Sequence, residues 1–262
     1  MTGATFFTQH GYLLTQLVRR EVLLKYRGSI LGIGWSFLYP LLLLAAFTLV
    51  FGGVLGAKWG TKGTGLELAL FIYCGLLVFT SFAEVASSTP RLLQNYQAYV
   101  KKIIFPTELL PLVNVLAATL HGLVNFLVLV LVAALVGHVH PMLLLVPLIF
   151  LPAWLFTLGV AWFLAAAGAY VRDLTHVMPV AIQLLMFLSP VFYPLDAAPA
   201  FLQKIHQFNP LAIAMEDIRR AVLDGLPPQW SVWFVMLGVG ALVAYAGFKF
   251  FLSSKEEFAD VI

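Results

Sequence analysis

His121 lies deep in a long apolar run, and Asn114 and Asn125 share its helical face at offsets of seven and four. Such a row suits hydrogen bonding between packed helices in a bilayer. A proton relay is the sharper alternative. Glu67, Glu84 and Glu108 fall near the ends of apolar runs, and the sequence shows no buried charge pair. That pattern speaks against an ion-driven pump and for an outside energy source. His138 and His140 sit together in a short connecting loop, where a polar turn fits better than a zinc site. No metal and no catalytic residue is expected.

Other reactive patterns are missing. A phosphate loop needs G-x-x-x-x-G-K-[ST]; Gly56-Ala57-Lys58 and Thr61-Lys62-Gly63 lack that spacing, so this chain is not expected to bind ATP by that route. No G-x-S-x-G nucleophile elbow occurs. Cys74 is the single cysteine, which rules out an internal disulfide and reads as a small buried hydrophobe. The chain is therefore not expected to be an enzyme. Aromatic residues make up 14% of it. Trp35, Tyr39, Phe47 and Phe51 fall in the first apolar run, Phe71, Tyr73, Phe79 and Phe82 in the second, and Phe187, Phe192 and Tyr193 in the fifth. Such rings serve as interfacial belts, as lipid-facing filler, or as stacking surfaces for sugar rings.

The elements that carry these residues follow from composition. The chain is 61% hydrophobic and 10% charged, with a mean hydropathy of +0.96, whereas a soluble domain carries about 25% charged residues. An all-α integral membrane protein is expected, because the apolar runs lack the alternation of a barrel. Spans of about 20 residues are read at 34–55, 66–87, 108–136, 142–169, 176–193 and 230–252, within a single domain covering 1–262. Pro147 and Pro152 bend the fourth or mark a broken start. The N-terminus lacks the basic start and apolar core of a signal peptide.

Lysine and arginine placement sets the orientation. One side receives Arg19, Arg20, Lys25, Arg27, Arg91, Lys101, Lys102, Arg172, Lys249 and Lys255, and the other Lys58, Lys62, Lys204, Arg219 and Arg220. This bias puts both termini in the cytoplasm.

Three stretches outside the spans have patterns of their own. Leu13, Leu14, Leu17, Val18, Val22 and Leu24 cover about half a helical wheel opposite Gln16, Arg19 and Arg20, as in an interfacial helix, although Glu21 and Lys25 intrude on the apolar face. A plain basic topology anchor is the alternative. Pro90 to Phe105 reads as a short cytoplasmic helix, either a docking element or a solvated connector. Leu195 to Gly225 reads as two short amphipathic helices dipping toward the outer leaflet, with an ordinary surface hairpin as the alternative. In this reading Asp196 caps the first, with Pro199 in its first turn. Asn209-Pro210 starts the second and Gly225 stops it. Leu211, Met215, Ile218 and Val222 form its apolar stripe, and Glu216 pairs with Arg220.

Several blocks in order resemble permeases of the type-two class of ABC exporters that move polysaccharides (O-antigen, teichoic acid or capsule). They are Lys25 to Trp35, Pro40, Val50-Phe51-Gly52, Tyr73-Cys74-Gly75-Leu76 and Lys101 to Glu108 with Leu109-Leu110-Pro111. Arg172-Asp173-Leu174, Ser189 to Pro194 and Asn209-Pro210 continue the series, so the resemblance covers nearly the whole chain. It lies somewhat closer to the O-antigen and teichoic acid permeases than to the capsule ones.

The resemblance implies a homodimer of permeases joined to two copies of a cytoplasmic ABC ATPase, which would hold the ATP and magnesium. The implied substrate is a glycan on undecaprenyl pyrophosphate, exported across the bacterial inner membrane as in lipopolysaccharide biosynthesis; membrane lipids, but no nucleic acid, are the other expected partners. Arg19, Arg20, Lys25, Tyr26, Arg27, Leu31 and Gly32 would form the lipid-pyrophosphate entrance, since arginine forks suit phosphate oxygens. Arg91, Gln94, Asn95, Tyr96, Lys101 and Lys102 would couple to the ATPase. Trp35, Tyr39, Phe47, Tyr73, Phe79, Phe187, Phe192 and Tyr193 would line the channel. Motion would pass from the coupling helix to the interface helix and first span, opening the channel at the Leu31-Gly32 turn. Rival readings are an exporter of a drug or small lipid, an ATP-independent carrier, and a membrane glycan enzyme.

Overall fold

The computed structural model describes residues 3–50, 65–101 and 105–258. Among them every regular element is helical. α1 (Gly3–Tyr26) precedes α2 (Trp35–Phe47) and α3 (Gly65–Ser88). Two single turns, α4 (Leu92–Asn95) and α5 (Gln97–Val100), lead to α6 (Leu109–Val136). A short α7 (Val146–Ile149) enters α8 (Leu151–Tyr170), and α9 (Leu174–Leu188) follows. α10 (Ala200–His206) and α11 (Pro210–Leu223) precede the last long helix, α12 (Trp230–Ser254).

Four helical stretches are long and apolar enough to cross a membrane: Leu66–Asn95, Leu109–Val136, Pro141–Tyr170 and Trp230–Glu257. Trp35–Val50 and Leu174–Leu188 are shorter apolar helices. The expected first span runs on to residue 55, beyond the described residues, as do Lys58, Lys62 and Lys102.

Prolines set several boundaries. The fourth apolar run has the broken start that Pro147 and Pro152 foretold: a 3-10 turn and α7 stop at Phe150 before α8 begins. The fifth run is shorter than the expected 176–193. α9 ends at Leu188 because Ser189, which precedes Pro190, is extended with ψ 151°. The expected single helix from Pro90 is also corrected. A 3-10 turn at Thr89–Arg91 precedes α4, and Tyr96 (φ −113°, ψ 25°) separates α4 from α5.

α3 runs through the middle of the bundle, with Leu70, Ile72, Cys74 and Val78 fully enclosed. α8 and α12 pack along much of their length. A Cβ on Gly247 would collide with the backbone of Gly159, so these helices touch main chain to main chain. In a bilayer, where the hydrophobic effect does not drive helices together, such close approach is what holds them. α6 instead turns Leu120, Leu123, Leu127 and Leu131 outward.

α11 is no surface hairpin. Met215, Ile218, Ala221 and Val222 are fully buried at the end of the bundle remote from α4 and α5. Asn209 caps α11, its side-chain oxygen accepting from Leu211 N–H at 3.0 Å, with Pro210 at N1. The chain turns after it at Gly225 (φ 65°). The expected cap of the preceding helix is absent: Asp196 lies in a separate 3-10 turn, and Pro199 occupies the N-cap of α10. α10 exposes Phe201 and Ile205, and Phe208 follows them outward.

Candidate functional site

α1 brings most of the basic cluster to one surface. Arg19, Arg20 and Arg27 share a shallow concavity of about 400 Å³ with Gln16, Leu23 and Leu24. Leu24, expected on the apolar face, is exposed. That face seats Leu17 in one hydrophobic cluster with Leu92, Leu93 and Tyr96.

Lys25 turns away from the arginines. Its Nζ lies 2.9 Å from Glu84 Oε1 and 3.2 Å from His121 Nδ1. His121 Nδ1 is itself 2.7 Å from Glu84 Oε1. The sequence reading of Glu84 as an acid near a span end missed both partners, although the Lys25–Glu84 pair, with side chains 45% and 29% exposed, is not a buried one. Glu84 on α3 is only about a turn from the helix end, and Lys25 reaches it from α1, a partner that hydropathy along the chain does not reveal. Tyr26 stands edge-on to His121, with ring centroids 5.6 Å apart, and its hydroxyl bonds with Ser36. The chain then passes through Gly28 and Gly32, both at positive φ (84° and 50°), and exposes Ile30 and Leu31. Only glycine takes such angles without strain.

Lys25, Glu84 and His121 border a cavity of about 380 Å³ between α2, α3 and α6. Trp35, Tyr39 and Tyr73 line it as well. Trp35 and Tyr39 are 41% and 57% exposed. Tyr73 is buried, its hydroxyl donating to the Asn125 carbonyl at 3.3 Å. Farther along, the Phe47 ring lies 5.6 Å from Phe192, and Phe187 lies 6.0 Å from the same ring. Tyr193 donates to the Leu188 carbonyl at 2.6 Å. Phe79 stands apart from these rings. It is 2% exposed and packs beside Phe82 inside the bundle, so it presents no ring to an open face.

The segment from Arg91 to Lys101 has two faces. Leu92, Leu93, Tyr96 and Val100 point inward, while Arg91, Asn95, Gln97, Ala98 and Lys101 are exposed. Gln94 is half-buried and donates to the Gly168 carbonyl at 3.4 Å. Tyr96, 5% exposed, donates to Glu21 Oε2 at 2.5 Å. Burial first, and then the Glu21 carboxylate, push the Tyr96 hydroxyl well above its ordinary range, so it remains a donor. Of the expected coupling residues, Arg91, Asn95 and Lys101 thus occupy the accessible face, and Tyr96 does not.

At the far end, Glu216 pairs with Arg219 at 2.9 Å rather than with Arg220. Arg219 is buried and also donates to the Phe71 and Val191 carbonyls at 3.2 and 2.8 Å. It is a structural strut, not a loop charge. Sequence reasoning missed Arg219, Glu84, Ser36 and the Glu21–Tyr96 pair. The one signal for the last was Glu21 intruding on an apolar face. His138 Nδ1 lies 3.2 Å from the Leu223 carbonyl, tying the loop after α6 to the end of α11.

This bundle of apolar helices, four of them long enough to cross a bilayer, with α11 buried at one end, is consistent with an integral membrane protein. The chain belongs to the ABC-2 type transporter family, whose model matches residues 12–223. It is 28% identical over 261 residues to the O-antigen export system permease protein RfbA of Myxococcus xanthus, covering 97% of this chain and 96% of that protein. A protein of the same name from Klebsiella pneumoniae is 25% identical over 257 residues, covering 96% of each chain. The polysialic acid transport protein KpsM of Escherichia coli is 23% identical over 212 residues, 80% of each chain.

Proposed function

We propose that this protein is the membrane permease subunit of an ATP-driven polysaccharide exporter, most closely of the O-antigen kind. The observation that carries this reading is end-to-end similarity. O-antigen export permeases match 96 to 97% of the chain, whereas the polysialic acid transporter matches 80%. Six spans in the inner membrane, with both termini cytoplasmic, put α1, α4 and α5 on the cytoplasmic side and α10 and α11 outside. The basic bias of the first group supports this orientation.

Energy comes from a separate ABC ATPase, two copies of which join a permease homodimer. The exposed face of Arg91, Asn95 and Lys101 docks on it, with Lys102 beside them in sequence. The cargo is a glycan on a lipid pyrophosphate. Arg19, Arg20 and Arg27 receive its phosphates by bidentate hydrogen bonding. Lys25, held by Glu84, takes part only once released, and Tyr26 sits behind it. The left-handed turns flanking Ile30 and Leu31 form the movable lip of the entrance. Trp35, Tyr39, Phe47, Phe187, Phe192 and Tyr193 supply stacking surfaces along the path, and Tyr73 lines the side cavity. ATP binding closes the partner subunits, and repeated cycles advance the polymer without breaking a glycan bond.

The test is co-purification of the tagged chain with the ATPase encoded beside it, followed by ATP hydrolysis and glycan export in lipid. A stable complex whose export falls at least about tenfold on joint Lys101→Glu and Lys102→Glu substitution is expected. Export by the permease without any ATPase would overturn the assigned energy source.

A further inference from the structure

Glu21 and Lys25 are four residues apart, so they project from one side of α1 about 6 Å apart along its axis. Each is charged where the helix is otherwise apolar, and each has a partner. Glu21 accepts from Tyr96, which sits at the break between α4 and α5. Lys25 is bound to Glu84 on α3 and to His121 on α6. Arg20 adds a second tie to the connector. It donates to Tyr99 Oη at 3.1 Å, and its guanidinium carbon lies 5.5 and 5.8 Å from the Tyr96 and Tyr99 ring centroids. α1 is thus fastened to the connector through Glu21 and Arg20, and to the bundle through Lys25. Immediately beyond Lys25 the chain reaches Gly28.

The connector presents two faces. Its outer face is polar and exposed, while its inner face carries Leu92, Leu93 and Tyr96. A carboxylate accepting from a phenol is a short, charge-assisted bond, stronger than a neutral pair. It is also directional, unlike the apolar packing around it.

We infer that the Tyr96–Glu21 hydrogen bond is the contact that transmits displacement of the Arg91–Lys101 connector to α1, and through Lys25 and Gly28 to the turn at Ile30 to Gly32. Tyr96 and Glu21 are positioning residues in this role; neither touches cargo or nucleotide. The inference rests on the reading above, that this connector docks on the ATPase.

The experiment uses the full permease–ATPase complex in lipid, with Tyr96→Phe, Glu21→Ala and Glu21→Gln. Tyr96→Phe keeps the ring and its packing and removes only the donor. Complexes of wild-type yield and thermal stability are expected, with ATP hydrolysis retained and glycan exported per ATP lowered about fivefold or more by Tyr96→Phe and Glu21→Ala. Glu21→Gln, which keeps an acceptor oxygen, should recover part of the loss, and the double variant Glu21→Ala with Tyr96→Phe should be no worse than either alone. Unchanged export per ATP in Tyr96→Phe overturns the inference. So does a loss that merely follows reduced assembly or stability in both Tyr96→Phe and Glu21→Gln. Failure of the wild-type permease to bind the ATPase is a separate outcome, which removes the docking reading and the inference with it.

Discussion

The Arg219 guanidinium carbon lies 3.6 Å from the centroid of the Phe71 ring, while the same side chain's Nε donates to the Phe71 carbonyl. Its Nη2 reaches the Val191 carbonyl at 2.8 Å, and Nη1 meets Glu216 at 2.9 Å. One side chain therefore ties α11 to α3 and to the chain just after α9. Carbonyls near Pro190 have no helical partner downstream, and Arg219 satisfies one of them. Replacing it with methionine keeps the bulk but leaves Glu216 without its buried cation. Breaking a buried pair in this way costs about 3–5 kcal/mol. Arg219→Met should lower the thermal unfolding midpoint sharply in detergent or nanodiscs, and Arg219→Lys should rescue little, since an ammonium cannot reproduce the fork. An unchanged midpoint in Arg219→Met would show that α11 is held by apolar packing alone.

Asp217, on the same helix, behaves oppositely. Its Oδ1 accepts from Gln229 N–H at 3.2 Å, but Oδ2 is buried without a partner among the described residues. Burial raises its carboxyl above the ordinary value, with the Gln229 bond and Arg220 opposing. The folded protein thus holds this proton to higher pH than the unfolded chain does. The group favours folding fully below its unfolded value and penalises it as pH rises through the folded one. Asp217→Asn keeps an acceptor and removes the charge. It should leave the unfolding midpoint equal or higher at pH 7, with the difference from wild type shrinking toward pH 4. A marked loss at pH 7 would show that the carboxylate is needed in its charged form.

How much of this was legible from residues alone depended on whether the cause was local. The apolar runs at 66–87, 108–136 and 230–252 match helices to within two residues, because length and hydropathy decide them. Asn209-Pro210 was legible because a cap is made within three residues. The fifth run was overdrawn because Val191, Phe192 and Tyr193 continue the hydropathy past a proline that ends the helix. Glu216 was assigned to Arg220 by helical spacing, yet carbonyls of α3 and the post-α9 turn draw Arg219 inward instead. Glu84 looked like a span-end acid because its partners come from α1 and α6. Phe79 and Trp35 are equally aromatic in sequence, and only the packing around α3 separates the buried ring from the exposed one.

Gly247 offers a test of the main-chain contact between α8 and α12. A side chain there meets Gly159 backbone, which cannot yield as a flexible side chain does. Gly247→Val should separate the helices and cost about 1–3 kcal/mol, as overpacking does. Gly238→Ala, on the same helix with nothing within 4 Å of the added carbon, is the control. It should be neutral or stabilise by up to about 1 kcal/mol through helix propensity. The readout is the fraction of monodisperse protein after mild heating. Equal behaviour of the two variants would mean that the helices part without penalty.

Gly28 and Gly32 isolate conformation from packing at the proposed entrance. Both sit at positive φ, and a Cβ added at either meets nothing within 4 Å. Alanine there clashes with no neighbour and is penalised only by its own backbone, by about 1–2 kcal/mol. That strain is small against the stability of the bundle but large against the balance between two loop conformations, where 1.4 kcal/mol is a tenfold change. Gly28→Ala and Gly32→Ala should therefore leave assembly with the ATPase and the unfolding midpoint nearly unchanged, raise hydrogen exchange across residues 27–35, and reduce glycan export severalfold. Gly11→Ala, which likewise adds a carbon into open space but within α1, should lose nothing. Full export by both Gly28→Ala and Gly32→Ala would show that the loop works without its left-handed turns, and that the movable element lies elsewhere in α1 or α2.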